Sequence, residues 1–438
     1  MASDRQAANA WRVLLLLFLA NLLNFFDRTL PAVVAEPMRK EWGLSDFQLG
    51  LVSTAFVLVY AIAGLPLGRW ADRGPRRTIL ALGLTVWSVF TGAAAVVSGY
   101  VGYFLVRMGV GIGEACYAPT ANSLIGDLFP SATRARAISL FMLGLPLGVM
   151  LAFFIVGPMV QALGSWRAPF VVAAVPGLLL AVAIWRIREP ARGAADAVQQ
   201  DAAPVARPIR TLLAIPTFRW IVGSGLTLNF ATYAINGFIV PLLQRHYGLP
   251  IGSAAVYAGL ITGATGLAGL TLSGWLADHL HQGSEHARLR FCAGALGSAS
   301  LATAAALVLG SDSVALFTAL FAAGVLAYYS YYACVYPALH DVVVPRLRGT
   351  AFAVYFAAMY LLGGAFGPAA VGALSDRLAN AAMHTAGVEV MNESFKAAGL
   401  SGAMYLVPAM LGATALFVYL ASRRFAADAR AMRAGSAS

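Results

Sequence analysis

Charge is what this chain has least of. Only 11% of its 438 residues are Asp, Glu, Lys or Arg, against about 25% in an average soluble domain, while 60% are hydrophobic. A soluble enzyme of this composition would precipitate. Lysine is nearly missing: Lys40 and Lys396 follow Arg39 and Phe395, so no Gly-x-x-x-x-Gly-Lys-Ser/Thr phosphate cradle exists and direct ATP hydrolysis on this chain is excluded. The three cysteines, Cys116, Cys292 and Cys334, lie within apolar stretches. They offer neither a disulfide framework nor a metal spacing, and read as small packing residues. No histidine falls near a membrane centre, and His279, His281, Glu285 and His286 read as a solvated loop rather than a metal site. An intramembrane enzyme would need a clustered nucleophile and base, and a channel would need rings of like charge or a filter loop; neither is present.

What the chain does have is apolar length. Stretches of about 20 residues, each able to cross a hydrocarbon core of about 30 Å as a helix, recur twelve times. They lie near 12–34, 48–70, 78–99, 101–125, 135–160, 167–188, 219–244, 252–276, 288–309, 313–338, 350–375 and 402–422. The expected fold is an all-α polytopic membrane protein with twelve transmembrane helices, and little remains for soluble domains. The first stretch lacks a small-residue cleavage pattern followed by a soluble domain, and is read as a retained helix.

The net charge of +11 could suggest a nucleic-acid binder, but its placement decides otherwise. With both termini inside, 22 of the 30 Lys and Arg fall on inner segments and six on outer ones, namely Arg39, Lys40, Arg167, Arg245, Arg377 and Lys396. That is the positive-inside distribution. Scarce lysine beside abundant arginine, alanine and glycine fits a GC-rich genome, and a bacterial inner membrane is the expected location, with no nucleic-acid partner.

From Glu189 to about Ile215 runs the longest polar inner interruption, with Pro190, Gly193, Pro204 and Pro208. It reads as a flexible linker (189–215) between two six-helix halves, 1–188 and 216–438. Landmarks repeat across it: Pro31 with Pro241, Gly68-x-x-x-Asp72 with Gly274-x-x-x-Asp278, Cys116-x-x-Pro119 with Cys334-x-x-Pro337, and Asp127 and Arg134 with Asp341 and Arg348. A third Gly-x-x-x-Asp, Gly372 to Asp376, ends the eleventh span and points to three-helix units inside each half. Alternating-access secondary transporters are built this way.

Between the second and third spans stands Gly68-Arg69-Trp70-Ala71-Asp72-Arg73-Gly74-Pro75-Arg76-Arg77. Its glycine permits close helix approach, its carboxylate can cap a helix or pair with arginine, and its basic run stays on the cytoplasmic face. The string resembles the signature loop of the major facilitator superfamily, which implies the major facilitator fold. By that resemblance Gly68, Asp72, Arg73 and Arg76 belong to the cytoplasmic gate, with Asp127 and Arg134 beside them. The second copy reads Asp278-His279-Leu280-His281 and has lost the basic run, which leaves its gating role in doubt.

Four charges lie within the spans: Asp27, Arg28, Arg107 and Glu114. Each costs about 2.5 to 3.5 kcal/mol at a helix centre, so each must be paired or line a cavity. Asp27 stands about 24 Å along the first span and Arg107 about 9 Å below the outer surface, with Glu114 two turns deeper on the same face. The four can form a ladder. An arginine can bind an anionic group bidentately, and a carboxylate beside it can trade a proton for a changed pairing. The bland alternative is two structural salt bridges, Asp27 with Arg107 and Arg28 with Glu114, although a buried pair seldom improves stability over apolar packing.

Repeat offsets place Gly237, Phe238, Val325 and Tyr332 opposite Asp27, Arg28, Arg107 and Glu114. One half is charged where the other is apolar or aromatic. The seventh span carries Asn229, Tyr233, Asn236 and Phe238, and the tenth carries Tyr328 to Tyr332 and Tyr336. Such walls suit an amphiphile with an anionic head, though many of these tyrosines can equally be packing or interfacial residues.

Asn24-Phe25-Phe26-Asp27-Arg28, Arg107 with Gly113-Glu114-Ala115-Cys116-Tyr117, Gly126-Asp127-Leu128-Phe129-Pro130 and Gly144-Leu145-Pro146-Leu147-Gly148 resemble the Spinster family, which contains carriers of lysophospholipids and sphingosine-1-phosphate. The resemblance implies Asp27 and Glu114 as proton or switch carboxylates and Arg28 and Arg107 as head-group or ion-pair partners. Asn24, Tyr117, Asn229, Tyr233, Asn236, Phe238, Tyr328 and Tyr332 are the cavity candidates. The expectation is a monomeric, proton-coupled carrier of an anionic amphiphile with no cofactor beyond the proton gradient. The Asp-Arg pair of the first span is shared with symporters of small organic anions, so a carrier of carboxylates or sugar acids is the rival.

Overall fold

Inside lipid, a chain built from separate apolar runs satisfies its backbone N–H and C=O groups by forming helices. The computed structural model describes residues 2–191, 208–281, 287–344 and 347–435, and no strand occurs among them. The first six spans become α1 (Ala2–Val33), α3 (Asp46–Arg73), α4 (Arg76–Ala93), α5 and α6 (Tyr100–Ala115, Tyr117–Leu128), α7 and α8 (Ser131–Met142, Gly144–Leu163) and α9 (Ala168–Trp185). A short α2 (Ala35–Trp42) joins the first two. The second six become α11 (Pro216–Tyr247), α12 and α13 (Ile251–Gly259, Thr265–His281), α14 (Ala287–Leu309), α15 and α16 (Val314–Tyr328, Ser330–Val342), α17 and α18 (Arg348–Ala357, Phe366–Thr385) and α20 (Leu406–Gly435). Before them comes α10 (Pro208–Ala214), and ahead of the last α19 (Glu393–Ala403).

Ten of these segments are long and apolar enough to cross a membrane. The remaining two of the twelve, α4 and the α5–α6 pair, carry Arg76 and Arg77 or Arg107 and Glu114, whose charge lowers their hydropathy. Five spans are interrupted where the hydropathy pattern runs on unbroken. The breaks fall at Cys116, Leu143 and Tyr329 and at two π-helical turns, Leu260–Ala264 and Ala358–Gly364. Wider turns of this kind locally shift the backbone hydrogen-bond register.

The chain forms two compact units: residues 1–44, 55–201 and 250–259, and residues 45–54, 202–249 and 260–438. Each unit takes one short segment from the other half of the sequence, α12 in the first and the start of α3 in the second. In the first unit α1 packs on α8, α4 on α5 and α9, and α12 on α8. Trp87, Tyr103, Tyr117, Phe141, Phe153 and Phe170 fill its centre, and Asn21 Nδ2 donates to the Phe141 carbonyl at 2.9 Å. In the second unit α11 packs on α20 and on the π turn at 358–364, and α14 on α15 and α20. The hydroxyls of Thr227 and Thr414, 2.8 Å apart, link α11 to α20, as small polar residues do between membrane helices.

The expected flexible linker is ordered at both described ends. Glu189 is held by Arg76, as detailed below, and residues 208–214 form α10, while residues 192–207 lie outside the described set.

Candidate substrate and coupling site

Asn24, Asp27 and Arg28 lie in the C-terminal part of α1, where Pro31 has no N–H for the carbonyl of Asp27. Arg107 and Glu114 lie two turns apart on α5. All five residues come together inside the first unit, buried except for a slight exposure of Arg28. Arg28 Nε donates to Glu114 Oε2 at 2.6 Å, so one of the two salt bridges of the bland alternative forms. The other does not. Asp27 Oδ2 instead accepts from the Thr91 hydroxyl of α4 at 3.3 Å. Asp27 Oδ1, Glu114 Oε1, Asn24 Nδ2 and both Nε and Nη1 of Arg107 are buried without a hydrogen-bond partner. Polar groups in such a position favour any ligand that supplies the missing bonds.

Tyr117, an expected cavity residue, is packing. It is 1% exposed, its ring stands edge-on to Trp87 at 5.5 Å, and its hydroxyl donates to the Leu17 carbonyl.

In the second unit Tyr328 is buried and stacks on Tyr329 at 4.9 Å. Half-buried Tyr332 contacts Tyr329, Tyr331 and Tyr336. Tyr233 of α11 stands edge-on to Tyr360 at 6.3 Å. Asn236 Oδ1 is buried without a partner, whereas Asn229 donates to the Met359 carbonyl at 2.9 Å and so ties α11 to the π turn. Phe238, 1% exposed, is a core residue. The aromatic wall extends beyond the residues expected from sequence: Tyr355 donates to the Tyr331 hydroxyl at 3.0 Å, which is 2.9 Å from Ser224 Oγ, and Phe352, Phe356 and Tyr360 continue the stripe at helical spacing. That spacing was its sequence signal.

At the start of α4, Arg76 is fully buried and acts as a hub within the first unit. It pairs with Asp127, donates from Nε to Glu189 at 2.8 Å and from Nη2 to the Pro190 carbonyl at 2.9 Å. Burial alone would raise the Glu189 carboxyl; hydrogen bonds from Arg76 and Arg77 outweigh it and hold the group below its ordinary range. Arg134 Nε donates to the Phe129 carbonyl at 3.1 Å, and Arg73 is exposed. The close approach expected at Gly68 is not made, since a Cβ there would meet nothing within 4 Å. The side chains of Asp72, Asp278, His279, His281, Glu285 and His286 lie outside the described set.

A second hub was missed in the sequence. Arg288 Nη2 donates to Asp341 at 2.8 Å, just as Arg76 meets Asp127. Arg288 follows Arg76 by 212 residues, close to the 214 that separate the two aspartates, so the repeat offset carried the signal while the intervening loop hid it.

Residues 17–368 match the family profile described as Major Facilitator Superfamily. Protein spinster homolog 3 of Danio rerio is 32% identical over 82% of this chain and 75% of its own length. The chain belongs to the major facilitator superfamily and, within it, to the Spinster family. It is also 30% identical to an MFS-type efflux pump of Mycolicibacterium smegmatis, over 96% of this chain and 94% of that one. The sphingosine-1-phosphate transporter SPNS2 of Mus musculus is 30% identical over 82% and 69%. A crystal structure of a bacterial homolog to the human lysosomal transporter Spinster, inward-facing and unoccupied, superposes with a TM-score of 0.86 at 29% identity, covering 96% of this chain and 98% of that one. As a Spinster-family protein the chain is a multi-pass membrane transporter.

Proposed function

We propose that this Spinster-family transporter is a proton-coupled carrier of an anionic amphiphile, such as a lysophospholipid or a sphingosine-phosphate-like lipid, working by alternating access. The observation that carries this is the Arg28–Glu114 ion pair of 2.6 Å set among Asp27, Arg107 and Asn24, which hold buried polar atoms lacking partners. A proton arriving on Glu114 releases Arg28 to a substrate anion, and Arg107 supplies further N–H donors. Asp27 is the second carboxylate able to exchange a proton with the cluster. A mouse relative, a sphingosine-1-phosphate transporter, supports a lipid of this kind.

The two six-helix halves, 1–188 and 216–438, are taken as the moving bodies, with residues 189–215 joining them. Gly68, Asp72, Arg73, Arg76, Asp127 and Arg134 form the cytoplasmic gate. A monomer in a bacterial inner membrane, both termini cytoplasmic and driven by the proton gradient without a further cofactor, completes the reading.

Its test is uptake of labelled lysophospholipid and of a small sugar acid into proteoliposomes, each with and without an imposed pH gradient and corrected against protein-free liposomes. Gradient-dependent movement of the lysolipid is the expected result. Movement of the sugar acid alone overturns the amphiphile reading and leaves a small-anion symporter.

A further inference from the structure

Phe56 and Tyr60 lie one turn apart on α3 and stack on one another at 6.1 Å. The guanidinium carbon of Arg28 is 4.5 Å from the Tyr60 ring centroid, 5.4 Å from that of Phe56 and 5.2 Å from that of Phe25, one turn back on α1. The guanidinium of Arg107 is 5.1 Å from the same Phe56 ring. Both cations of the cluster therefore rest on one aromatic pair, and the negative ring face offsets part of the cost of their burial.

The backbone is shaped for this contact. Gly111 lies between Arg107 and Glu114 on the same face of α5. A Cβ there would stand 3.1 Å from the Phe56 carbonyl oxygen, 3.4 Å from Phe56 Cδ2 and 3.5 Å from Tyr60 N. A bare position at 111 lets α3 lie against the charged stripe.

We propose that Phe56 and Tyr60 are positioning residues for substrate recognition: their rings seat Arg28 and Arg107 so that the two guanidiniums hold their places when Glu114 lets go, and thereby set the affinity for an anionic head group. This inference rests on the head-group role proposed above for the two arginines. An ion pair alone would not suffice, because Arg28 loses its Glu114 partner at the moment it must receive substrate. A ring contact does not depend on the proton.

The transport test compares Tyr60→Leu, Phe56→Leu and Tyr60→Phe in proteoliposomes, with an anionic lysophospholipid and a neutral monoacylglycerol. The leucine variants raise the KM for the anionic lipid about tenfold while turnover is kept, and Tyr60→Phe, which retains the ring, restores the wild-type KM. Equal losses for both lipids, or an equal KM rise in Tyr60→Phe and Tyr60→Leu, overturn the proposal. A second measurement needs no substrate: a double-mutant cycle of Tyr60→Leu and Arg28→Met on thermal unfolding of the purified protein. Non-additive Tm shifts are expected. Additive shifts overturn the seat itself, whereas non-additive shifts with no lipid transport in the wild type fault the function proposed above and leave the seat standing.

Discussion

Asp46 grips Arg245 with both carboxylate oxygens, at 2.7 and 2.8 Å, with the two side chains only 4% and 2% exposed. One residue opens α3 and the other lies in the last turn of α11, so the pair binds the start of the second span into the second unit. Arg245→Ala would leave a buried carboxylate without its cation, a loss of about 3 to 5 kcal/mol. A marked fall in the melting temperature in detergent is expected, with only partial recovery in Arg245→Lys, because an ammonium cannot reproduce the two-pronged contact. An unchanged melting temperature in Arg245→Ala would show that Asp46 gains nothing from the pair.

The third Gly-x-x-x-Asp motif completes this junction. Asp376 accepts the backbone N–H groups of Asp46 and Phe47 at 3.0 and 2.9 Å, placing a negative charge at the start of α3. At Gly372 a Cβ would lie 2.2 Å from the Asp46 carbonyl oxygen, so only glycine lets the two backbones meet. Gly372→Ala and Asp376→Ala should each loosen the start of α3. A cysteine placed at buried Leu49 reports this: a membrane-impermeant maleimide should label it faster in either variant than in the otherwise unchanged protein, and equal rates would remove the latch.

Glu41, outside the spans, gives a pH prediction. Hydrogen bonds from Arg167, at 2.7 and 2.8 Å, and from Trp166 Nε1, at 2.6 Å, hold its carboxyl at about 2, below the ordinary 4.5. A depressed carboxyl stabilises the fold fully above the unfolded value and loses that contribution as pH falls from 4.5 towards about 2. With Glu41 42% exposed, solvent screening limits it to under about 1 kcal/mol. The melting-temperature gap between wild type and Glu41→Gln should therefore be small, steady near neutrality, and narrow below about pH 4.5. A gap constant down to about pH 3 would contradict the assignment.

Depth along a helix was legible in the sequence, and azimuth was not. Residue counting put Asp27, Arg28 and Arg107 at related depths and Glu114 two turns deeper, and left the Arg28–Glu114 pair, which the structure forms, as only one of two alternative salt bridges. It could not show that Asp27 turns to Thr91 on α4, because that depends on how the helices are rotated. Hydropathy gave no sign of the π turns at 260–264 and 358–364, since a shift in backbone register leaves side-chain polarity unchanged. Arg245 counted among the ordinary outer charges because it stands at the end of an apolar run, and nothing in the sequence singled out Asp46. The third Gly-x-x-x-Asp reads in sequence as the mark of a three-helix unit, not of a junction with Asp46.

The coupling role of Glu114 has its own signature. Glutamine keeps the size of the side chain and a carbonyl oxygen for Arg28 Nε, now 2.6 Å from the carboxylate, but cannot carry the exchangeable proton. Glu114→Gln should therefore abolish stimulation by a pH gradient while retaining substrate counterflow, which needs no net proton movement. Arg28→Ala should differ in kind: it removes the cation offered to the head group and should weaken binding of anionic lysolipids more than neutral ones. Equal gradient stimulation in Glu114→Gln and wild type takes Glu114 out of coupling and passes the role to Asp27. Equal losses for anionic and neutral lipids in Arg28→Ala reduce its pair with Glu114 to a structural tie between α1 and α5, and Arg107, with two N–H groups already lacking partners, becomes the residue that meets the anion.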